Sequence, residues 1–282
     1  MKCILFSVLV TVAITANAQT SSLMWEVSGN GLQQPSYLFG TIHMICEDDF
    51  IMTDVVKEKF KASSQIFLEL DMDDPGMQIK MMKLAMLPKG ETLKKLFGPD
   101  YPMVDSFFQK NTQFSLALFN QFKPLMVMSM LYLKMLPCEN TASYETRFVS
   151  MAQEQHKDVQ GLETIEDQMQ VFDNIPDSLE AFNIVKMVKE FKQQQEQFAE
   201  MIKVYKQQNI DQLFEYVNTS PDLMESQEDL LTKRNANWIP VMEKNMKQSG
   251  CFFAVGAAHL GGEIGVIALL KKKGYTVKAV KL

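Results

Sequence analysis

The C-terminal segment constrains the fold more than any other part of the chain. Cys251–Val255 (CFFAV) is a continuous apolar run of strand length, and Gly256-Ala257-Ala258-His259 follows at its carboxyl end. Gly261-Gly262 opens a helix over Glu263–Lys273, Gly274 stops that helix, and Tyr275–Val280 reads as a further strand. A strand, loop, helix and strand in this succession pack back on a sheet as a crossover, so part of the sheet must be parallel.

The N-terminal half supplies the rest of that sheet. Trp25–Val27 and Tyr37–Gly40 flank Ser28-Gly29-Asn30-Gly31, and Asn-Gly between two apolar runs is a strong hairpin signal. Asp54–Ser63 has helical spacing, Gln65–Leu70 (QIFLEL) reads as a buried strand, and Asp158–Leu162 as a short one. Between Met77 and Leu136 the pattern is helical and rich in methionine, broken at Pro88, Gly98-Pro99 and Pro124. Tyr144–Gln155 is another helix. A long amphipathic helix is expected from Pro176-Asp177-Ser178 to about residue 207, with Asp177 or Ser178 as its N-cap. Asn209–Val217 and Asp222–Gln248 are helical again. The predicted fold class is therefore α/β, a mixed, partly parallel sheet with a large helical insertion between its N-terminal and C-terminal strand units.

The first residues read as a signal peptide rather than as fold. Lys2 supplies a positive start, Cys3–Ile14 is too short an apolar run to span a bilayer, and Ala16-Asn17-Ala18 places small residues where a signal peptidase reads. This reading divides the chain into a signal peptide over residues 1–18 and one domain over residues 19–282, exported to a periplasmic or secreted location, with no stable membrane insertion after cleavage. The alternative is an uncleaved anchor. The net charge of −6 without a basic cluster argues against nucleic acid as a partner. In an oxidising compartment a cysteine pair can be bridged. Cys46 and Cys138 sit in polar, loop-like sequence and form the expected pair, whereas Cys251 opens an apolar run and reads as core; the alternative is that all three stay free.

Of the three histidines, His43 and His259 share one local pattern, an apolar strand followed by Gly-x-x-His. Ligand-bearing residues of α/β sheets collect at the carboxyl ends of strands, where loops far apart in sequence converge. Glu69 lies at the end of another strand. Two imidazoles and a carboxylate suit a divalent metal with open coordination positions, although each of these residues also has a plain structural reading as a cap or a core hydrogen bonder. His156, between Gln155 and Lys157, reads as solvent-exposed. The cations number 28, and only Arg147 and Arg234 among them are arginines. A rare arginine suits two-pronged bonding to a carboxylate, here Glu163, Glu145 or one on a substrate; the alternative is a surface salt bridge.

Tyr37–His43 (YLFGTIH) resembles the opening motif of the TraB/GumN family, to which the Tiki metalloproteases are related. Gly161-Leu162-Glu163-Thr164 with Gln168 resembles its central motif, and Arg234-Asn235, Phe252–Gly262 and Gly274–Val277 resemble its C-terminal third. Ala258 departs from the glycine common at that position. The resemblance implies a metal-dependent hydrolase, with peptidase activity the expectation, acting on a peptide or small-molecule substrate. Carried over, His43 and His259 are metal ligands and Glu69 is a ligand or the general base; Arg234, a rare arginine on a motif, is expected to orient substrate. The metal is manganese, cobalt, iron or zinc, which mixed imidazole and carboxylate ligands do not separate. The rival reading is a non-catalytic protein that binds a peptide or ligand in the same cleft.

Overall fold

The computed structural model describes residues 21–219 and 227–282. The expected signal peptide, and the start of the helix expected from Asp222, lie outside the described residues. Six strands form one mixed sheet: β1 (Met24–Ser28), β2 (Ser36–Thr41), β4 (Gln65–Leu68), β6 (Val159–Gly161), β7 (Cys251–Gly256) and β8 (Thr276–Val280), in the order β6-β4-β7-β2-β1-β8. β3 (Ile45–Cys46) and β5 (Thr141–Ala142) form a separate two-stranded ladder. The sheet runs β6, β4, β7 and β2 parallel, while β1 pairs antiparallel with both β2 and β8. The mixed, partly parallel sheet is as expected. β8 runs in the same direction as β7 but is not its neighbour, because β2 and β1 lie between them.

The central strands look as the sequence requires of a sheet covered on both faces. Every residue of β2 is buried, as is β7 up to its last residue. Phe39, Phe60, Phe148 and Phe252 meet on one face, with ring centroids 5.1–5.6 Å apart at four of their contacts. The hairpin turn uses φ of +78°, +46° and +82° at Gly29, Asn30 and Gly31, the left-handed region that glycine and asparagine tolerate.

The helices are α1 (Asp54–Ala62), α2 (Met77–Leu84), α3 (Leu93–Phe97), α4 (Tyr101–Thr112), α5 (Pro124–Leu133), α6 (Tyr144–Glu154), α7 (Ile165–Asp173), α8 (Asp177–Lys189), α9 (Phe191–Lys206), α10 (Ile210–Asn218), α11 (Arg234–Met246) and α12 (Val266–Lys272). Of these, α3, α4, α5 and α8 enclose a second core around Leu93, Phe108, Leu131 and Ile184, separate from the one on the sheet.

Two helix expectations are corrected. The single helix from residue 177 to about 207 is interrupted at Glu190, which leaves helical geometry with φ −110° and ψ 19°. α8 buries Ala181, Ile184 and Val188 in the insertion's core, whereas α9 buries Ile202 and Tyr205 against the sheet, and one straight helix cannot face both. Asp177 is the first helical residue after Pro176, and no side chain caps that end. The helix expected from Glu263 begins only at Val266, since residues 261–264 make a tight turn in which a Cβ on Gly265 would stand 2.1 Å from the Gly261 carbonyl oxygen.

Cys46 and Cys138 are joined by a disulfide, as expected, and Cys251 is a buried free thiol. Among the described residues, no helix is long and apolar enough to cross a membrane.

Candidate functional site

The parallel strands place four side chains along one edge of the sheet. Each of β6, β4, β7 and β2 ends at that edge and delivers a polar residue just beyond its last residue: Glu163, Glu69, His259 and His43, in that spatial order. Adjacent strands lie about 4.8 Å apart, so neighbours in this row can touch and the two ends cannot. The two Gly-x-x-His segments are adjacent because β2 and β7 pair with Gly40 opposite Val255 and Thr41 opposite Gly256. The motifs are thus offset by one residue. Gly40 allows this packing, since a Cβ there would stand 3.0 Å from the Ala257 Cβ.

At the centre of the row, His259 and Glu69 form a close pair, with Nε2 4.0 Å from Oε1. The Glu69 carboxylate accepts the Gly256 N–H on Oε1 at 2.8 Å, and the Arg234 guanidinium on Oε2 at 2.7 Å. The Gln168 amide bridges the two acids, donating to Glu69 at 3.3 Å and to Glu163 at 3.2 Å. Arg234 also grips Glu163, through Nε at 3.0 Å and Nη2 at 2.6 Å, and its Nη1 lies 3.2 Å from His259 Nε2. Trp238, one helical turn beyond Arg234 on α11, donates its indole N–H to Glu163 and holds its ring 4.6 Å from the His259 imidazole. On the far side of His259, Nδ1 lies 2.7 Å from Asn235 Oδ1.

His43 stands apart from this cluster. Its Nδ1 is 3.3 Å from Glu145 Oε1, and its side chain is 76% exposed against 8% for His259. Thr41 and Ser143 donate their hydroxyls to the same Glu145 carboxylate, which ties the start of α6 to the end of β2. Of the sequence-predicted site residues, the structure brings together Glu69, His259 and Arg234, and leaves His43 at the rim. Among the described residues, no three His, Cys, Asp or Glu side chains are grouped so as to hold a metal ion.

The electrostatics follow the burial. Burial pushes the His259 imidazole down to about 3, a pull that Glu69 only partly reverses, so the ring is neutral at pH 7. Burial works against the charge of Glu69, but its neighbours, His259 and Arg234 first and then His43 and the Gly256 N–H, hold its carboxyl at about 2. Burial raises Glu163 above the ordinary carboxylate range, with Arg234 opposing. The hydrogen bond to Glu145 raises His43. A neutral imidazole beside an ionised carboxylate is a donor set of the right chemistry for a divalent metal.

Arg234 takes the clamping role that its rarity suggests, on Glu163 and Glu69, whereas Arg147 pairs at the surface with Glu47 at 3.7 Å. His156 is exposed, as expected. Glu145 as the partner of His43, and Asn235 and Trp238 around His259, were not read from sequence. The spacing Arg234, Asn235, Trp238 puts the first and last on one helical face and was the available signal. Glu145 carried none, since its contact with His43 depends on how α6 docks.

The sequence model of the TraB/PrgY/gumN family matches residues 23–279. The metalloprotease TIKI2 of Danio rerio is 38% identical over 82 residues, which are 28% of this chain and 16% of that protein. The metalloprotease TIKI1 of Homo sapiens is 36% identical over 85 residues, 29% of this chain and 16% of that protein. The matched segment thus spans about one-sixth of the length of these relatives. No solved structure matches the chain. The family match runs through nearly all of the described sheet and its site-bearing strand ends, and the chain belongs to the TraB/PrgY/gumN family.

Proposed function

We propose that this protein is a metal-dependent hydrolase of an exported compartment, with peptides as its substrate class. The observation that carries the reading is the His259–Glu69 pair. It joins a neutral imidazole to an ionised carboxylate at 4.0 Å, at the carboxyl ends of adjacent parallel strands. The metalloprotease relatives support the peptidase class, and the Cys46–Cys138 disulfide supports an oxidising location.

His259, Glu69 and, from the rim, His43 are the residues that would hold the ion. A divalent metal there would acidify a bound water and polarise a scissile carbonyl. The chain's own groups supply the rest. The Gly256 N–H orients the Glu69 carboxylate, which serves either as a ligand or, in place of that, as the base that takes a proton from water. Arg234, held from behind by Glu163, presents a fixed positive charge to a substrate carboxylate or to developing negative charge. The lone pair of His259 Nε2 serves one partner at a time, so a metal ion and the Arg234 guanidinium compete for it. That competition is also what favours the second reading, a ligand-binding protein in which Arg234 keeps the pair closed.

Metal content separates the two. The purified protein, supplied with manganese, cobalt or zinc, is expected to retain near-stoichiometric metal, and a His43→Ala/His259→Ala variant none. Equal and negligible metal in both proteins would remove the hydrolase reading and leave the binding one.

A further inference from the structure

Asn235 lies directly behind His259 and is fully buried, with no exposed surface. Its amide makes two contacts. Nδ2 donates to the Ile264 carbonyl oxygen at 3.0 Å, and Oδ1 faces His259 Nδ1 at 2.7 Å. The orientation of an amide is decided by its neighbours, because its oxygen accepts and its nitrogen donates. A backbone carbonyl can only accept, so the nitrogen of Asn235 must point at Ile264. The oxygen is then the atom that faces the imidazole, and Nδ1 of His259 must carry the proton.

A second contact reaches the same answer from the other side of the ring. Arg234 Nη1 lies 3.2 Å from His259 Nε2, and a guanidinium has donors and no acceptor. Nε2 must therefore offer its lone pair. The Ile264 carbonyl and the Arg234 guanidinium do not touch each other's partner, yet both demand the same tautomer.

We infer that Asn235 is a positioning residue, which sets the tautomer of His259 so that Nε2, beside Arg234 and Glu69, carries the lone pair and no proton. Residues 234 and 235 thus divide the work at the start of α11: Arg234 holds the two carboxylates, and Asn235 aims the imidazole. Ile264 belongs to the turn between His259 and α12, so the loop that carries the histidine also carries the carbonyl that orients its partner. In the other tautomer Nε2 would carry a proton aimed at the guanidinium, and the site would lose its only buried imidazole donor among the described residues. The consequence for function rests on the hydrolase reading above. The tautomer itself does not.

The test is a two-bond nitrogen–proton correlation spectrum of the ¹⁵N-histidine-labelled protein at pH 7 with chelator present. The His259 signals are assigned by comparison with His43→Ala and His156→Ala variants. The expected wild-type pattern is a protonated Nδ1 and an unprotonated Nε2. Asn235→Ala leaves only the longer 3.2 Å contact to Arg234 to hold the ring, and is expected to populate the second tautomer in part and to weaken binding of manganese, cobalt or zinc about 10- to 100-fold, as loss of a ligand's hydrogen-bond acceptor typically does. Asn235→Asp, which keeps an oxygen at that place, is expected to keep Nδ1 protonated and to recover most of the affinity. A wild-type ring protonated on Nε2 would overturn the inference whatever the metal does, as would an Asn235→Ala protein whose ring pattern is unchanged. A wild-type ring with the expected tautomer in a protein that takes no metal would end the hydrolase reading and leave the role of Asn235 standing.

Discussion

A single guanidinium holds two buried carboxylates together at the sheet edge. Glu69 and Glu163 are 11% and 7% exposed at their side chains, and both bond to Arg234. Two acids so placed repel each other, and Glu163 is raised in part by Glu69 for that reason. Removing one partner of a buried ion pair leaves uncompensated charge and costs about 3–5 kcal/mol. Arg234→Gln is therefore expected to lower the unfolding free energy of the metal-free protein by about that amount, read from urea denaturation. The same variant frees Nε2 of His259, so added manganese is expected to raise its melting temperature by more than it raises that of the wild type. A variant as stable as the wild type would show that the acids share a proton and that the clamp is dispensable. Gly256, at the same edge, has a limited steric role. A Cβ on Gly256 would stand 3.4 Å from Glu69 Oε1 and 3.5 Å from His259 Cδ2, ordinary contact distances, so Gly256→Ala is expected to fold and to narrow the space beside the pair. Gly265→Ala, with its 2.1 Å clash against backbone, is expected not to fold stably, as circular dichroism melting would show.

The helical elements carry an electrostatic feature of their own. Glu180 on α8 is 5% exposed, beside the second core. Burial first, and the nearby Asp177 charge second, raise its carboxyl to about 7, against the backbone bond it accepts from Leu125 at the start of α5. A folded-state value above the unfolded one means that the folded protein binds the extra proton. The associated stability is full below about pH 4.5 and is lost as the pH rises through about 7. At roughly 1.4 kcal/mol per pKa unit the loss is on the order of 3–4 kcal/mol. Glu180→Gln is expected to flatten the stability profile between pH 5 and 8, measured by chemical denaturation across that range, and an unchanged slope would assign it to other groups. Lys157 shows a different use of charge. Its ammonium donates to the carbonyls of Phe60, Lys61 and Ser63, and so closes the C-terminal end of α1. Lys157→Met is expected to cost about 1–2 kcal/mol through those unpaired carbonyls.

Across the whole molecule, the longest covalent tie is the disulfide. Cys46 and Cys138 are 92 residues apart in sequence, and the loop they close contains β4 and the helices α1 to α5. Closing so long a loop removes entropy from the unfolded chain worth about 4–5 kcal/mol. A Cys46→Ser/Cys138→Ser variant is expected to lose about that much in urea unfolding, and wild-type protein in reductant to match it. Loss confined to the variant would point to local packing around Ile45 and Ala142 rather than to the loop. The bridge also sits close in sequence to His43 and Glu145, so its removal is expected to loosen the rim of the site before its centre.

The amino-acid sequence by itself determined the elements and the candidates. Period-two and continuous apolar runs mark strands, glycine and asparagine mark the hairpin, and the repeated Gly-x-x-His marks the strand ends, all through local chemistry that needs no partner to be read. Local patterning also identified Glu69 and the rarity of arginine. It did not show where α8 gives way to α9, because that break serves two cores that meet only in space. Nor did it show the order along the edge. Strand pairing decided that Glu69 and His259 are neighbours, that Glu163 reaches them through Arg234, and that His43 stands at the end of the row with Glu145. Pairing between strands far apart in sequence is set by shape and burial over the whole sheet, and these are properties of the folded chain rather than of any segment in it.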